Sequence, residues 1–291
     1  METPAKLLQA WLRRQLTGNA ADWLQAQAEA VAGAGSDRAL FMAISLVHRR
    51  IGKADLALSA ADVTAAEAAR SGWRPADWSL DQATRVFFLL VAGGSPARFA
   101  ERLEQLFSTA DVGELIAFYR GLPLYPEQPR YVERAAEGVR TNMKAVFEAV
   151  AHSNPYPAEQ FSEHRWNQMV VKALFIGSAL HPIQDLERRW NPDLTRMLCD
   201  YAHERWAAGR TVSYELWRGV GRYADNAALD DLSRVLNSGA PIERQAAALA
   251  LAESQHRDAA SILGRDPTLA TAVRGGQISW AALAAKHPSP G

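Results

Sequence analysis

The spacing of apolar residues along the chain is helical almost throughout. Apolar positions recur every three or four residues, as at Leu7, Leu8, Trp11 and Leu12, and this spacing puts them on one face of a helix. No segment of useful length alternates apolar and polar residues as a half-buried strand would. Small polar residues and glycines separate the helical stretches. The pattern therefore predicts an all-α protein.

The predicted helices fall into a long body and a more regular tail. They are expected near residues 4–16, 20–32, 37–50, 60–70, 79–92, 96–107, 111–120, 130–150, 158–177, 192–208, 227–238, 241–253, 256–264, 267–274 and 278–285. In the tail, 229–236 and 241–251 resemble one HEAT-type helix pair, which must stack on a neighbour to bury its apolar stripe. We predict an irregular helical-repeat array (HEAT-like, or α-solenoid) of antiparallel helix pairs, although Ala-rich helices also occur in ordinary bundles. Residues 1–225 would form the main body, and 226–291 would continue it.

Composition narrows the class of partner. Lys plus Arg and Asp plus Glu each number 32, so the net charge is zero and no nucleic-acid partner is expected. The most apolar run, 86–92, ends at Gly93, far short of the roughly 20 residues that a membrane span needs. The first residues lack a continuous apolar signal core, and the single cysteine, Cys199, fits a reducing compartment. These features predict a cytoplasmic protein.

Three asparagines surround the most informative loop, 152–157, whose sequence is HSNPYP. Its prolines favour extended backbone, so its amides and carbonyls need side-chain partners. Asn142 lies at the margin of an apolar stripe, and Asn167 lies among apolar residues of the helix after the loop. We therefore expect Asn142, Asn154 and Asn167 to lie near one another, either as clamps between helix and loop or as ligand contacts.

Charged residues on the following helices extend this candidate site over 131–217. Arg165 and Lys172 share a polar stripe on a mostly apolar helix, which favours either a ligand pocket or a structural ion pair with Glu137, Glu159 or Asp200. His203 follows Cys199 by four residues and Asp200 by three, but a zinc site needs a third protein ligand. We predict no metal and no cofactor, and nothing indicates a lowered pKa that would make Cys199 a nucleophile. The ligand-binding candidates are Asn142, His152, Asn154, Arg165, Asn167, Lys172, Asp200 and His203.

Several of these segments resemble the EboA family of bacteria. The matching stretches are 107–115 (FSTADVGEL), 136–143 (AEGVRTNM), 154–159 (NPYPAE), 166–175 (WNQMVVKALF) and 200–210 (DYAHERWAAGR). They follow in order over most of the chain, from about Leu7 to the HEAT-like tail. The resemblance implies a cytoplasmic gene-cluster neighbourhood with a UbiA-like prenyltransferase and sugar- or cyclitol-processing enzymes, associated with making or exporting a secondary metabolite. It transfers no catalytic residue.

Our leading hypothesis is an accessory helical protein that binds a partner enzyme from the same biosynthetic cluster or a small polar metabolite. The alternative is an enzyme that acts on a small polar, phosphorylated or prenylated intermediate through a pocket lined by 140–205. The sequence carries no GxGxxG after a strand, no GxxxxGK[ST] and no GxSxG, so none of these motifs supports catalysis. A third hypothesis, a HEAT-type nucleic-acid binder, conflicts with the zero net charge.

Overall fold

Residues 2–33 and 37–286 are described by a computed structural model. Within these ranges the chain forms seventeen α-helices and six short 3-10 helices. Backbone pairing of the β type is limited there to isolated contacts, such as the bridge between Asp55 and Ser79. The predicted all-α class is confirmed. Across the same ranges, no helix combines the length and the apolar character that crossing a bilayer requires.

The chain divides into two compact units, Met1–Phe161 and Ser162–Gly291. The first unit contains α1 (Pro4–Gln15), α2 (Gly18–Gly33), α3 (Arg38–Arg50), α4 (Ala60–Ala69), α5 (Leu80–Val91), α6 (Pro96–Thr109), α7 (Val112–Arg120), α8 (Val132–Arg140), α9 (Lys144–Ala151) and α10 (Tyr156–Gln160), with 3-10 helices at Pro75–Asp77, Leu122–Leu124 and Gln128–Tyr131. Helix α5 lies at its centre and packs against α1, α2, α3 and α7. Val86, Phe87, Phe88 and Leu89 of α5 are buried. This apolar run is therefore the core of the unit.

Helix α4 is fixed at its first turn by a capping box. The hydroxyl of Ser59 accepts from the backbone N–H of Asp62, and the Asp62 carboxylate accepts from the N–H of Ser59. Arg14 of α1 donates two hydrogen bonds to the same carboxylate. The Arg14 guanidinium holds the pKa of Asp62 well below its ordinary value. The start of α4 is thereby tied to α1.

Two long helices predicted beside the loop are each divided in the structure. The single helix predicted over 130–150 is wrong, because Thr141 and Met143 adopt extended backbone between α8 and α9. The hydroxyl of Thr141 accepts from the N–H of Met143 and so offers the backbone an alternative to the helical ladder. The helix predicted over 158–177 is likewise split between α10 and α11 (Glu163–Phe175), where Ser162 caps the second helix.

The second unit is built around a small-residue helix. Besides α11 it contains α12 (Pro192–Ala207), α13 (Asn226–Ser238), α14 (Pro241–Glu253), α15 (Ala259–Leu263), α16 (Pro267–Arg274) and α17 (Trp280–Lys286), with 3-10 helices at Glu187–Arg189, Tyr214–Gly219 and Gly221–Tyr223. Helix α14 packs against α13, α15, α16, α17 and the 214–223 segment. A Cβ at Gly221 would lie 2.1 Å from the Ala250 carbonyl oxygen. Only glycine therefore allows this close approach.

Helices α13 and α14 are the pair predicted in the tail. They pack against each other, and α14 also packs on the 214–223 segment. They belong to the second compact unit, which begins at Ser162. The sequence instead predicted a division at residue 225. The predicted array of HEAT-like pairs is not tested by these contacts and stays a prediction, as does the division into 1–225 and 226–291. The last residues of that tail, 287–291, lie outside the described residues.

Candidate functional site

An open cavity of about 610 Å³ lies in the first unit. We call it the Ser153 cavity. Its lining residues come from α4, from the turn and 3-10 helix that follow, and from the loop after α9: Val63, Thr64, Glu67, Ala68, Trp73, Arg74, Ala76, Asp77 and Ser153. Its volume falls within the range of small-molecule sites. The wall is mostly apolar, with polar groups at a few positions.

Three buried tryptophans, Trp11, Trp73 and Trp78, pack together at the cavity wall. Trp73 is buried, and its ring centroid lies 5.4 Å from that of Trp11 and 6.1 Å from that of Trp78. The turn before Trp73 is held by Glu67, whose carboxylate accepts from the Ser71 hydroxyl and from the Gly72 N–H, both at 2.9 Å. Gly72 has a positive φ of 76°, a conformation that glycine adopts without strain. Glu67 therefore positions the wall that Trp73 and its neighbours form.

The loop after α9 enters the cavity in a strained conformation. Ser153 has a φ of 49°, which is left-handed backbone that a residue with a side chain rarely adopts. The next residue, Asn154, is 3% exposed. Its amide group donates to the carbonyls of Tyr119 and Ala149, both at 3.1 Å, and its side-chain oxygen accepts from the Tyr156 N–H at 3.0 Å. Asn154 thus fixes the loop from within and leaves Ser153 at the cavity.

Arg70 ties the two sides of the cavity together. Its guanidinium forms a two-pronged ion pair with Glu159 of α10, and its Nε donates to the Pro123 carbonyl at 3.0 Å. Arg70 follows the last residue of α4 directly, and Glu159 belongs to the helix that begins at Tyr156. Both side chains are partly shielded from solvent, and bidentate geometry adds specificity to such pairs. The loop and α4 are therefore held at a defined separation.

Two polar groups of the cavity are open to a ligand. The Ser153 hydroxyl and the exposed guanidinium of Arg74 form no hydrogen bond or ion pair within residues 2–33 and 37–286. In contrast, Asp77 is paired with Arg120, whose guanidinium donates to the Asp77 carboxylate at 2.8 Å and to its carbonyl at 2.7 Å. Glu67 is engaged by the turn. The cavity can therefore offer one hydroxyl and one cation to a bound molecule.

The predicted site residues of the first unit have different surroundings. Asn142 is exposed in the short connection between α8 and α9. His152 ends α9, is half-buried, and donates its backbone N–H to the Glu148 carbonyl at 2.8 Å. Asn154 forms the loop clamp described above, so its amide is occupied by backbone groups. Asn142 is thus exposed and Asn154 buried, and the predicted grouping of the three asparagines stays a prediction.

In the second unit, Asn167 and Lys172 are also engaged. Asn167 and Asn191 exchange two amide hydrogen bonds, at 3.1 and 2.9 Å, and Asn191 also caps α12 through the Leu194 N–H. Lys172 is half-buried, with its Nζ 5.0 Å from the ring centroid of Phe175. Arg165 is half-buried on the same helix. Of the carboxylates considered for Lys172, Glu137 pairs with Arg134 and Glu159 pairs with Arg70.

His203 finds its acid partner on another helix. Its Nε2 lies 2.8 Å from both carboxylate oxygens of Asp231 in α13, while Asp200 is exposed. Burial raises the pKa of the Cys199 thiol to about 12, and nearby Asp231 adds to the effect. A thiol with a raised pKa is a poor nucleophile. Among the described residues, no three His, Cys, Asp or Glu side chains are grouped as metal ligands.

The residues that line the cavity opposite the loop could not be predicted from the sequence. Glu67, Trp73 and Arg74 precede Ser153 by about eighty positions, and no periodic pattern connects segments so far apart. The Ser71–Gly72 turn followed by a tryptophan was the available signal, because it ends α4 and presents an aromatic residue beside an arginine. Asn191 and Asp231, the partners of two predicted residues, were missed for the same reason.

Comparison with known proteins identifies one matching protein family. Residues 4–221 match the family described as metabolite traffic protein EboA. No curated protein and no solved structure matches the chain. The match includes all of the Ser153 cavity, which lies between residues 63 and 153, and it leaves α13 to α17 outside. Because the match covers most of the chain, the protein belongs to the EboA family.

Proposed function

We propose that this protein binds a small metabolite in the Ser153 cavity and holds it during its traffic. The observation that carries the proposal is Ser153 itself, held in left-handed backbone at a mostly apolar cavity, with no partner for its hydroxyl among the described residues. Strained backbone costs about 1–3 kcal/mol and persists where the surroundings impose it, as at ligand sites. The description of the family as a metabolite traffic protein supports the same conclusion.

The chemistry of the cavity favours a ligand with an apolar body and one acceptor group. Val63, Ala68, Trp73 and Ala76 provide the apolar wall, and Arg74 can donate to a carboxylate, a phosphate ester or a carbonyl. The lining carboxylates Glu67 and Asp77 offset the positive charge, so a ligand with several negative charges is a poor match. Such a molecule is more apolar than the small polar metabolite predicted from the sequence.

The wider role remains an accessory one. We propose that the protein serves a secondary-metabolite biosynthesis or export cluster in the cytoplasm, and that it presents the metabolite to an enzyme of that cluster. An array of antiparallel helix pairs would give it an extended surface for that enzyme. In this account Asn154 positions the loop, while His152, Asn142, Arg165, Asn167, Lys172, Asp200 and His203 stay predictions as ligand contacts. Conversion of the metabolite would instead favour the alternative, an enzyme of small polar, phosphorylated or prenylated intermediates.

A matched pair of fluorescent probes tests the proposed site. Anilinonaphthalene sulfonate has an apolar body and one anionic group, and phenylnaphthylamine is its uncharged counterpart. We expect both to bind, and Arg74→Met to weaken the sulfonate about tenfold, equivalent to about 1.4 kcal/mol, with little effect on the uncharged probe. Ser153→Ala should weaken binding more modestly, because it removes one hydrogen bond.

Arg49→Met is the matched control, since Arg49 is exposed on α3 and does not line the cavity. It should leave the affinity for both probes unchanged. Equal effects of Arg49→Met and Arg74→Met on the sulfonate would show that the probe responds to overall charge, and the Ser153 cavity would lose its support. No binding of either probe would have the same consequence.

A further inference from the structure

A second cleft, of about 310 Å³, lies in the second unit. Its walls carry two indoles, two guanidinium groups, two carboxylates and one amide. Glu187 and Trp190 come from the segment before α12, Arg218 from the 3-10 helix 214–219, Glu253 from the end of α14 and Trp280 from the start of α17. Chain segments far apart in sequence therefore build one polar cleft with aromatic walls.

Both indole rings are held in place. The Trp280 Nε1 donates to the Glu253 carboxylate at 2.7 Å. Trp190 is buried, and a Cβ at Gly219 would lie 2.8 Å from its ring, so glycine allows the close packing that orients this indole. Arg218 is likewise engaged, because its guanidinium pairs with Glu187. A ligand would therefore meet the preorganised, half-buried indole of Trp280 and a small exposed part of Trp190, and preorganisation reduces the cost of binding.

Other groups of the cleft keep free hydrogen-bonding capacity. Arg222 and Gln255 are exposed, and in the described part of the chain neither side chain has a hydrogen bond or an ion pair. The Arg222 guanidinium lies 5.9 Å from the centroid of the Tyr223 ring. Each carboxylate can accept further hydrogen bonds, since its two oxygens offer about four lone-pair positions. The cleft thus presents donors and acceptors together.

The charges of the cleft balance, with two arginines against two glutamates. A phosphate dianion would gain from the arginines but would be repelled by the carboxylates. A hydroxyl group both donates and accepts, so a neutral ligand with several hydroxyls can pair with Glu253 and with Arg222 at once. The apolar C–H face of a ring would pack on the Trp280 indole.

We propose that this cleft is a binding site for a neutral, polyhydroxylated ring of monosaccharide size. Its volume lies at the lower end of known ligand sites. This cleft is distinct from the Ser153 cavity, because the two lie in different units. The proposal therefore does not depend on the function proposed for that cavity. Arg222, Glu253, Gln255 and Trp280 all follow residue 221, where the family match ends. The cleft is therefore completed by the C-terminal helices that the family match does not cover.

Saturation-transfer difference NMR on the full chain tests the proposal. The probes are methyl glucoside, inorganic phosphate and the zwitterion alanine. We expect transfer to the ring protons of methyl glucoside, with a dissociation constant on the order of 1 mM as suits a small polar ligand. Alanine should neither show comparable transfer nor displace the glucoside, and phosphate should not displace it.

Two variants locate the site on the cleft. Arg222→Met removes an exposed donor and should weaken the glucoside about fivefold, while Arg210→Met, at an exposed arginine outside the cleft, should change nothing. Trp280→Leu should abolish the transfer; if it disturbs α17, Arg222→Met still decides the matter. The proposal is overturned if methyl glucoside shows no transfer, if Arg222→Met binds it like the wild type, or if alanine or phosphate displaces it.

Discussion

Replacing Asn154 with alanine should destabilise the first unit and loosen the Ser153 loop. The substitution removes two donors to the carbonyls of Tyr119 and Ala149 and the acceptor of the Tyr156 N–H, all in the interior. A buried backbone N–H left without a partner costs about 1–3 kcal/mol, and the lost hydrogen bonds add to this. We expect a decrease of about 2–4 kcal/mol in the free energy of unfolding.

Urea unfolding followed by circular dichroism measures this decrease, and hydrogen exchange of the Tyr156 amide measures the loop directly. Asn237→Ala is the control, because Asn237 is exposed on α13 and makes no side-chain hydrogen bond in the described part of the chain; it should change stability by less than about 0.5 kcal/mol. Asn154→Ala should also weaken binding of anilinonaphthalene sulfonate. If stability changes as little as in the control and the Tyr156 amide stays protected from exchange, Asn154 does not hold the loop as proposed.

Asn154→Asp separates the two halves of the clamp. The carboxylate keeps an acceptor for the Tyr156 N–H but turns negative charge toward the carbonyls of Tyr119 and Ala149. Burial and these carbonyls should raise the pKa of the introduced aspartate above its unfolded value. The variant should therefore be most stable at low pH, where the side chain is protonated, and lose stability as pH rises through the folded-state pKa. A stability independent of pH relative to wild type would contradict this account.

Three further predictions follow from residues around the site and the thiol. Asp62→Asn should lower the melting temperature at neutral pH, and by progressively less as the pH falls below the unfolded pKa of an aspartate. Arg14 depresses the pKa of Asp62 in the folded protein, so the stabilisation is present above the unfolded pKa and is lost as pH falls through the folded-state pKa; a pH-independent difference in calorimetry would oppose this. Ser153→Gly should have a free energy of unfolding about 1 kcal/mol higher than Ser153→Ala, because only glycine adopts the positive φ without strain. Equal midpoints in urea unfolding would argue against strain at this position. Cys199 should be alkylated by iodoacetamide roughly a thousandfold more slowly in the folded protein than in urea, since burial raises its pKa to about 12, and mass spectrometry showing similar rates would contradict a buried thiol.

Helix positions could be predicted from the sequence where the apolar period and the caps agree. Helix α12 begins at Pro192 after Asn191, and α14 begins at Pro241, both as expected from proline near a first turn. The break at Thr141 could not be predicted, because apolar residues continue at helical spacing across it while a local hydrogen bond to Met143 ends the helix. Periodicity reports a buried face and not the continuity of the backbone.

The candidate site was predictable only as a loop. Its prolines and Asn154 pointed to side-chain hydrogen bonds, which the structure contains, but the sequence could not tell that Asn154 turns inward and leaves Ser153 at the cavity. The distinction depends on the carbonyls of Tyr119 and Ala149, which tertiary packing brings to the amide. The acid partner of His203 shows the same limit. Its spacing in sequence indicated Asp200, whereas the packing of α12 on α13 brings Asp231 to the imidazole.

The central claim is that the Ser153 cavity retains a metabolite, and the most direct test is the identification of small molecules released from the purified protein. The chain and its Arg74→Met and Arg49→Met variants would be isolated from cells that make the metabolite, and their solvent extracts compared by mass spectrometry. The account predicts one compound with an apolar body and an anionic or carbonyl group, retained by the wild type and by Arg49→Met and depleted in Arg74→Met. Equal retention by both variants, or no retained compound in any sample, would contradict it.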